Sequence, residues 1–259
     1  MKKEIYLSIL GIAIGEIMLF LDHIHIGLLI HIINILIITS ILIFSDFSSD
    51  SKKVLQSLIL LLLMRAINLA MPQLFENNMM WYLLTYGVMF IPIYLLIKNQ
   101  QISLNELGIH SKNLRVFLPA ALLIGIVLSY IEFLITDPAP LIGSLQPLNI
   151  ILLVAVMFIF VGGVEELIFR SILQTRLENV FGLNNGIYIS GLLFGIMHSV
   201  YGLVPEIIFA IIYGIIIGYI FQKTRSLPFI LAIHGTANVF LFGIFPALIL
   251  DFSTFSQYN

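Results

Sequence analysis

Three short runs in the C-terminal part of this 259-residue chain set proton-moving groups inside long apolar stretches. They are Glu165-Glu166-Leu167-Ile168-Phe169-Arg170, Phe194-Gly195-Ile196-Met197-His198 and His234-Gly235-Thr236-Ala237-Asn238. Glu166 and Arg170 are one helical turn apart and can pair along one face. Glu165 is rotated about 100° from Glu166 and is free to project elsewhere. The other two runs each place an imidazole four residues from a second functional ring or carboxamide, on one face of a helix. Glycines beside each run (Gly162, Gly163, Gly195, Gly235) permit close helix approach. Such a set suits peptide hydrolysis. A carboxylate takes the proton of water, imidazoles orient that water or donate hydrogen bonds, and the Asn238 amide is a neutral donor to an oxyanion. The same Glu165, His198 and His234 also make a three-ligand set for zinc with an open fourth position. At the level of residue types both chemistries stand.

The elements that must position these groups are apolar helices. Sixty per cent of the residues are hydrophobic and only 10% are charged, against about a quarter charged in a soluble domain. Hydrocarbon can solvate such a surface and water cannot. Stretches of the roughly 20 residues needed to span a bilayer run near 4–22, 26–45, 54–72, 79–97, 114–136, 148–172, 185–200, 204–222 and 227–250. The seventh is short and could be half of a re-entrant hairpin with the eighth. The expected fold is therefore all-α, a polytopic transmembrane helix bundle of eight to nine membrane segments in one domain. Residues 1–147 supply the N-terminal helices and 148–250 the core that carries the chemistry. With a net charge of −2 and no long run of like charge, nucleic-acid binding has no electrostatic support. The absence of cysteine excludes disulfides, thiolate metal sites and a cysteine nucleophile. Met1-Lys2-Lys3 opens a retained first helix rather than a cleaved signal, because Glu16 interrupts the apolar run.

Lys and Arg set the orientation. With the N-terminus in the cytoplasm, Lys2, Lys3, Lys52, Lys53, Lys98, Lys112, Arg115, Arg170, Arg176, Lys223 and Arg225 fall at cytoplasmic ends. The connections around Asp22, Glu76, Asp137 and Gly202 carry none. The C-terminus is then external, and Trp81 sits at an external helix end. With Arg170 near the cytoplasmic boundary, Glu165 lies roughly 8 Å inside; counted from Ser226, His234 lies roughly 12 Å and Asn238 roughly 18 Å inside, and counted from Asn185, His198 lies roughly 20 Å inside. The depths of Glu165 and His198 do not match. Glu16, Arg65 and Glu132 share a depth in the outer halves of their helices, which points to a buried structural ion pair. Leu104–Ile109 reads as an interfacial segment, and Glu206 and His31 have no assigned role.

Glu-Glu-x-x-x-Arg, Phe-x-x-x-His and His-x-x-x-Asn, in this order and each in an apolar helix, resemble the CAAX prenyl protease and bacteriocin-processing (CPBP, or Abi) family of intramembrane proteases. The resemblance covers 148–240. It implies that Glu165 activates water with help from His198, that His234 and Asn238 stabilise the oxyanion, and that Glu166, Arg170 and Phe194 support the site. It leaves open whether a metal takes part. The implied activity is cleavage of a peptide or membrane-associated protein near the cytoplasmic face, in bacteriocin or signalling-peptide maturation or immunity. The implied partners are a peptide or membrane-protein substrate and the lipid bilayer. The alternative is a non-catalytic membrane scaffold that regulates a sensor kinase or cell-wall enzyme. A transporter is less well supported, because no inverted repeat is visible.

Overall fold

The computed structural model describes residues 2–45, 48–71, 78–110 and 112–249. The connection around Glu76 and the C-terminus expected to be external lie outside the described residues. Among those described, the chain folds into nine helical segments: α1 (Lys2–Phe20), α2 (Ile24–Phe44), α3 (Ser49–Ala70), α4 (Asn78–Gln100), α5 (Leu114–Thr136), α6 (Pro147–Phe181), α7 (Leu183–Ile196), α8 (Val204–Thr224) and α9 (Leu227–Ile249). The expected all-α bundle is what forms. Seven of these helices are long and apolar enough to cross a membrane. The other two differ for separate reasons: α1 carries Lys2, Lys3, Glu4 and Glu16, and α7 has only 14 residues. At helical rise α7 extends roughly 21 Å, short of the roughly 30 Å hydrocarbon core.

Local chemistry sets the boundaries. Ser48 caps α3 by accepting from the Ser51 backbone N–H, and prolines stand in the first turns of α6, α8 and α9, where a missing N–H costs nothing. Gly182, at φ 87°, turns the chain sharply between α6 and α7 in a conformation that glycine adopts freely. The helix α6 is longer than its apolar run, because it continues past Arg170 to Phe181. Two stretches within it, Val156–Gly162 and Leu167–Gln174, have π-helical turns that bracket Gly163–Glu166. Such widened turns occur frequently at functional sites.

The bundle has two distinct ends. At one, Tyr6 and Lys2 meet the Phe181 ring, Gln56 donates to Asn99, Arg176 pairs with Glu106 and Arg225 pairs with Glu178. This gathers the start of α1, the start of α3, the end of α4 and the ends of α6 and α8. Gln174, Arg176 and Glu178 are buried there, so the polar layer closes that end. The segment Leu104–Ile109 docks into the same layer: Leu107 accepts from Ser171 Oγ at 2.7 Å and Gly108 accepts from the Leu227 N–H at 2.9 Å. At the other end Trp81 donates to Met71 O and Leu141 donates its N–H to Phe242 O. Apolar side chains such as Leu36, Ile91, Leu123 and Leu134 are exposed on the outer faces, as helices solvated by lipid require. Of the seven spanning helices, α9 is the most buried, and it packs against α5 and α6.

A candidate hydrolytic site between two cavities

The three motif runs converge from α6, α7 and α9. In α6, Glu165 receives a 2.6 Å hydrogen bond at Oε1 from the Tyr86 hydroxyl of α4, and its Oε2 lies 3.6 Å from His234 Nε2. Glu166 turns away from Glu165 and places Oε1 2.6 Å from His234 Nδ1 and Oε2 3.4 Å from Arg170 Nε. A carboxylate can only accept, so His234 Nδ1 carries the proton and Nε2 is the atom that faces Glu165. His234 therefore stands between two carboxylates, hydrogen-bonded to Glu166 and 3.6 Å from Glu165.

Arg170 is fully buried, not interfacial as its place in the sequence suggested. Its guanidinium lies 4.7 Å from the Phe194 ring centroid and 5.7 Å from that of Phe169. The extension of α6 beyond Arg170 is the reason. Sixteen residues separate Glu165 from Phe181, roughly 24 Å at helical rise, so Glu165 sits far deeper than a boundary at Arg170 implied. That depth now matches His198, which follows the short helix α7. The mismatch came from the misplaced boundary.

His198 stands at the end of α7, with Nδ1 2.8 Å from the Phe194 carbonyl. A carbonyl only accepts, so Nδ1 is the protonated nitrogen and the Nε2 lone pair is available for chemistry. Close packing makes this position possible. A Cβ on Gly195 would come within 2.6 Å of the Ile211 backbone N, and one on Gly235 within 2.5 Å of the Phe158 ring, so α7 meets α8, and α9 meets α6, only through glycine. Phe194 sits at the centre, with ring centroids 4.8 Å from His198, 5.7 Å from Tyr213 and 6.1 Å from His234.

Two cavities adjoin His198. The larger, about 520 Å³, is lined by Glu165, His198, Tyr86, Tyr82, Trp81 and Arg65 among others. The smaller, about 30 Å³, is lined by His198, His234 and Asn238 together with Glu132 and Glu206. That volume holds one or two waters. His198 alone of the four expected catalytic residues lines both cavities.

The N-terminal helices take part, which the motifs did not show. Arg65 grips Glu16 with two 2.8 Å hydrogen bonds, from Nε to Oε1 and from Nη2 to Oε2. His31 adds a contact at 3.2 Å from Nε2 to Glu16 Oε1. The Arg65 guanidinium also donates to the Met197 carbonyl, and Ser199 Oγ donates to Glu16 Oε2 at 2.5 Å. The expected buried pair is thus Arg65 with Glu16, and it clamps the residues on both sides of His198. Glu132 is no member of that pair and faces the small cavity instead. Glu206, to which the sequence assigned no role, faces the same cavity. Nothing in the sequence separates Tyr86 from the other nine tyrosines.

Among the described residues no group of three His, Asp or Glu side chains has the arrangement of a metal site. Glu165 Oε2 and His234 Nε2 approach each other, but no third donor joins them.

No curated protein and no solved structure matches the chain. A family model does match, over the stretch that holds all three motifs and the three helices that carry them. Residues 147–240 match the model of the family described as Type II CAAX prenyl endopeptidase Rce1-like.

Proposed function

We propose that this chain is an intramembrane endopeptidase of the CAAX type in which Glu165 activates water. The observation that supports this most is the placement of Glu165: 8% exposed, held at one oxygen by the Tyr86 hydroxyl, facing His234 at the other, and lining a cavity with His198. A water oriented by His198 Nε2 loses a proton to Glu165, and its oxygen bonds to the carbonyl carbon of the substrate. The carbonyl π pair moves onto oxygen, where Asn238 donates a hydrogen bond and His234, doubly protonated beside Glu166, donates another from Nε2. The C–N bond then breaks as Glu165 returns its proton to the leaving nitrogen, which yields a carboxylic acid and an amine. Glu166 and Arg170 act through His234, fixing its ring orientation, and Phe194 packs the two imidazoles. The substrate we propose is a peptide or membrane-associated protein, in bacteriocin or signalling-peptide maturation or immunity.

The test is a cleavage assay on the detergent-solubilised protein. Glu165→Gln keeps size and hydrogen bonding but removes the base, so turnover should fall by orders of magnitude with helicity intact. His198→Ala should do the same. Chelation separates water activation by Glu165 from a zinc site built on Glu165, His198 and His234. Chelators should leave activity unchanged under the first and abolish it under the second. If both variants keep full biological activity, the chain is not a protease and the scaffold reading takes its place.

A further inference from the structure

We infer that the larger cavity is loaded from the face opposite the Lys/Arg-rich one, and that its substrate is a polypeptide already on the outer side of the membrane, with aromatic or large aliphatic residues beside the scissile bond. This rests on the protease reading and replaces the expectation of a cut near the cytoplasmic face.

The lining of the cavity carries the argument. Apart from Glu165, Tyr86 and His198, its lining includes Ile24 at the start of α2, Asn68 and Met71 at the end of α3, Trp81 early in α4, Leu141 between α5 and α6, and Tyr201 after α7. These are helix ends and connections at one end of the bundle, and Ile24 and Tyr201 are exposed. The other end is closed by the layer in which Arg176 and Glu106, Arg225 and Glu178, and Gln174 and the Gly218 carbonyl are joined. Charge then assigns the faces. Of the chain's 12 Lys and Arg residues, all except the buried Arg65 and Arg170 fall at the closed end or in the connections that join it. The bias of Lys and Arg toward the cytoplasm makes that end cytoplasmic and the open end external.

The chemistry of the cavity names the substrate class. Trp81, Tyr82, Tyr86 and Tyr201 make it aromatic, and Ile24, Leu69, Met71 and Leu141 make it apolar. Among the described residues its only cation, Arg65, is committed to Glu16 and the Met197 carbonyl, so they offer no free positive group to an acidic substrate. A volume of about 520 Å³ suits a few large side chains and is too small for a folded domain.

The absence of cysteine makes the test direct. His23→Cys and Val200→Cys place single thiols at exposed positions of the open end, and Asn99→Cys places one at the closed end. In intact cells a membrane-impermeant maleimide should label the first two, and label Asn99→Cys only after permeabilisation. The reverse pattern overturns the inference. A quenched fluorescent peptide with a Leu- and Phe-rich centre, added from outside, should be cut by right-side-out vesicles and spared by inverted ones. Cleavage by inverted vesicles alone overturns the inference. Failure of the detergent-solubilised protein to cut any such peptide refutes the substrate class and the protease reading together, whereas the thiol labelling still decides the face.

Discussion

At the scale of single residues, the site works through which atom of each group is already committed. His198 Nδ1 is committed to the Phe194 carbonyl and His234 Nδ1 to Glu166, so each ring presents Nε2 to the reaction. Asn238 lines the small cavity with His198 and His234, where its amide can meet a developing oxyanion. Asn238→Ala should therefore cost about 10²–10³ in turnover, as losing one oxyanion donor does elsewhere, with little change in unfolding temperature. Tyr86→Phe removes the hydroxyl that donates to Glu165 Oε1. A hydrogen bond to a charged group contributes about 1.5–3 kcal/mol, so turnover should fall roughly tenfold or more while the ring packing is kept. Single-turnover rates measured on both variants check this. A Tyr86→Phe enzyme with full activity would mean that Glu165 does not depend on that donor for its position.

At the scale of elements, helices from the two halves of the chain meet at His198. Arg65 from α3 and Glu16 from α1 are 3% and 0% exposed, and they hold Met197 and Ser199 on either side of it. Arg65→Met should destabilise the protein by about 3–5 kcal/mol, because it leaves the Glu16 charge buried without its partner. Unlike an isolated structural pair, this one should also lower turnover beyond what the loss of folded protein explains. The double variant Glu16→Gln/Arg65→Met strands no charge, so it should recover much of the stability but not the turnover. Thermal unfolding and turnover number, measured on the same detergent samples, separate the two effects. A double variant no more stable than Arg65→Met would show that the pair is not what these residues contribute.

At the scale of the whole molecule, nine segments with the Lys/Arg-rich connections at one end give a bundle that is closed on one face and hollow toward the other. Reporter fusions after Ser51 and after Lys223 should both read cytoplasmic, since both points lie at the closed end. An external reading at either would reverse the assignment of faces and place the cavity on the cytoplasmic side. The short helix α7 fits this shape. One face of it is buried against α6 and α8, and its early end leaves His198 beside the cavity instead of at the surface.

The apolar helices, their order and the residues of the three motifs were legible in the sequence, because each depends on local quantities. Hydrocarbon selects runs of a given length, and helical spacing decides which residues share a face. The resemblance carried by the motifs agrees with the family match at 147–240. What only the tertiary structure decided involves partners far apart in the chain. Arg170 is followed by polar residues, which made it look like a helix end. Packing against Phe194 and Glu166 instead buries it and carries α6 on to Phe181, and this sets the depth of Glu165. Arg65 had two carboxylates at similar depth, and only the packing of α1 against α3 chose Glu16 over Glu132. Tyr86 reaches Glu165 across 79 positions, a contact with no periodicity to announce it. The side on which the cavity opens is a property of five helix ends taken together, and no single segment encodes it.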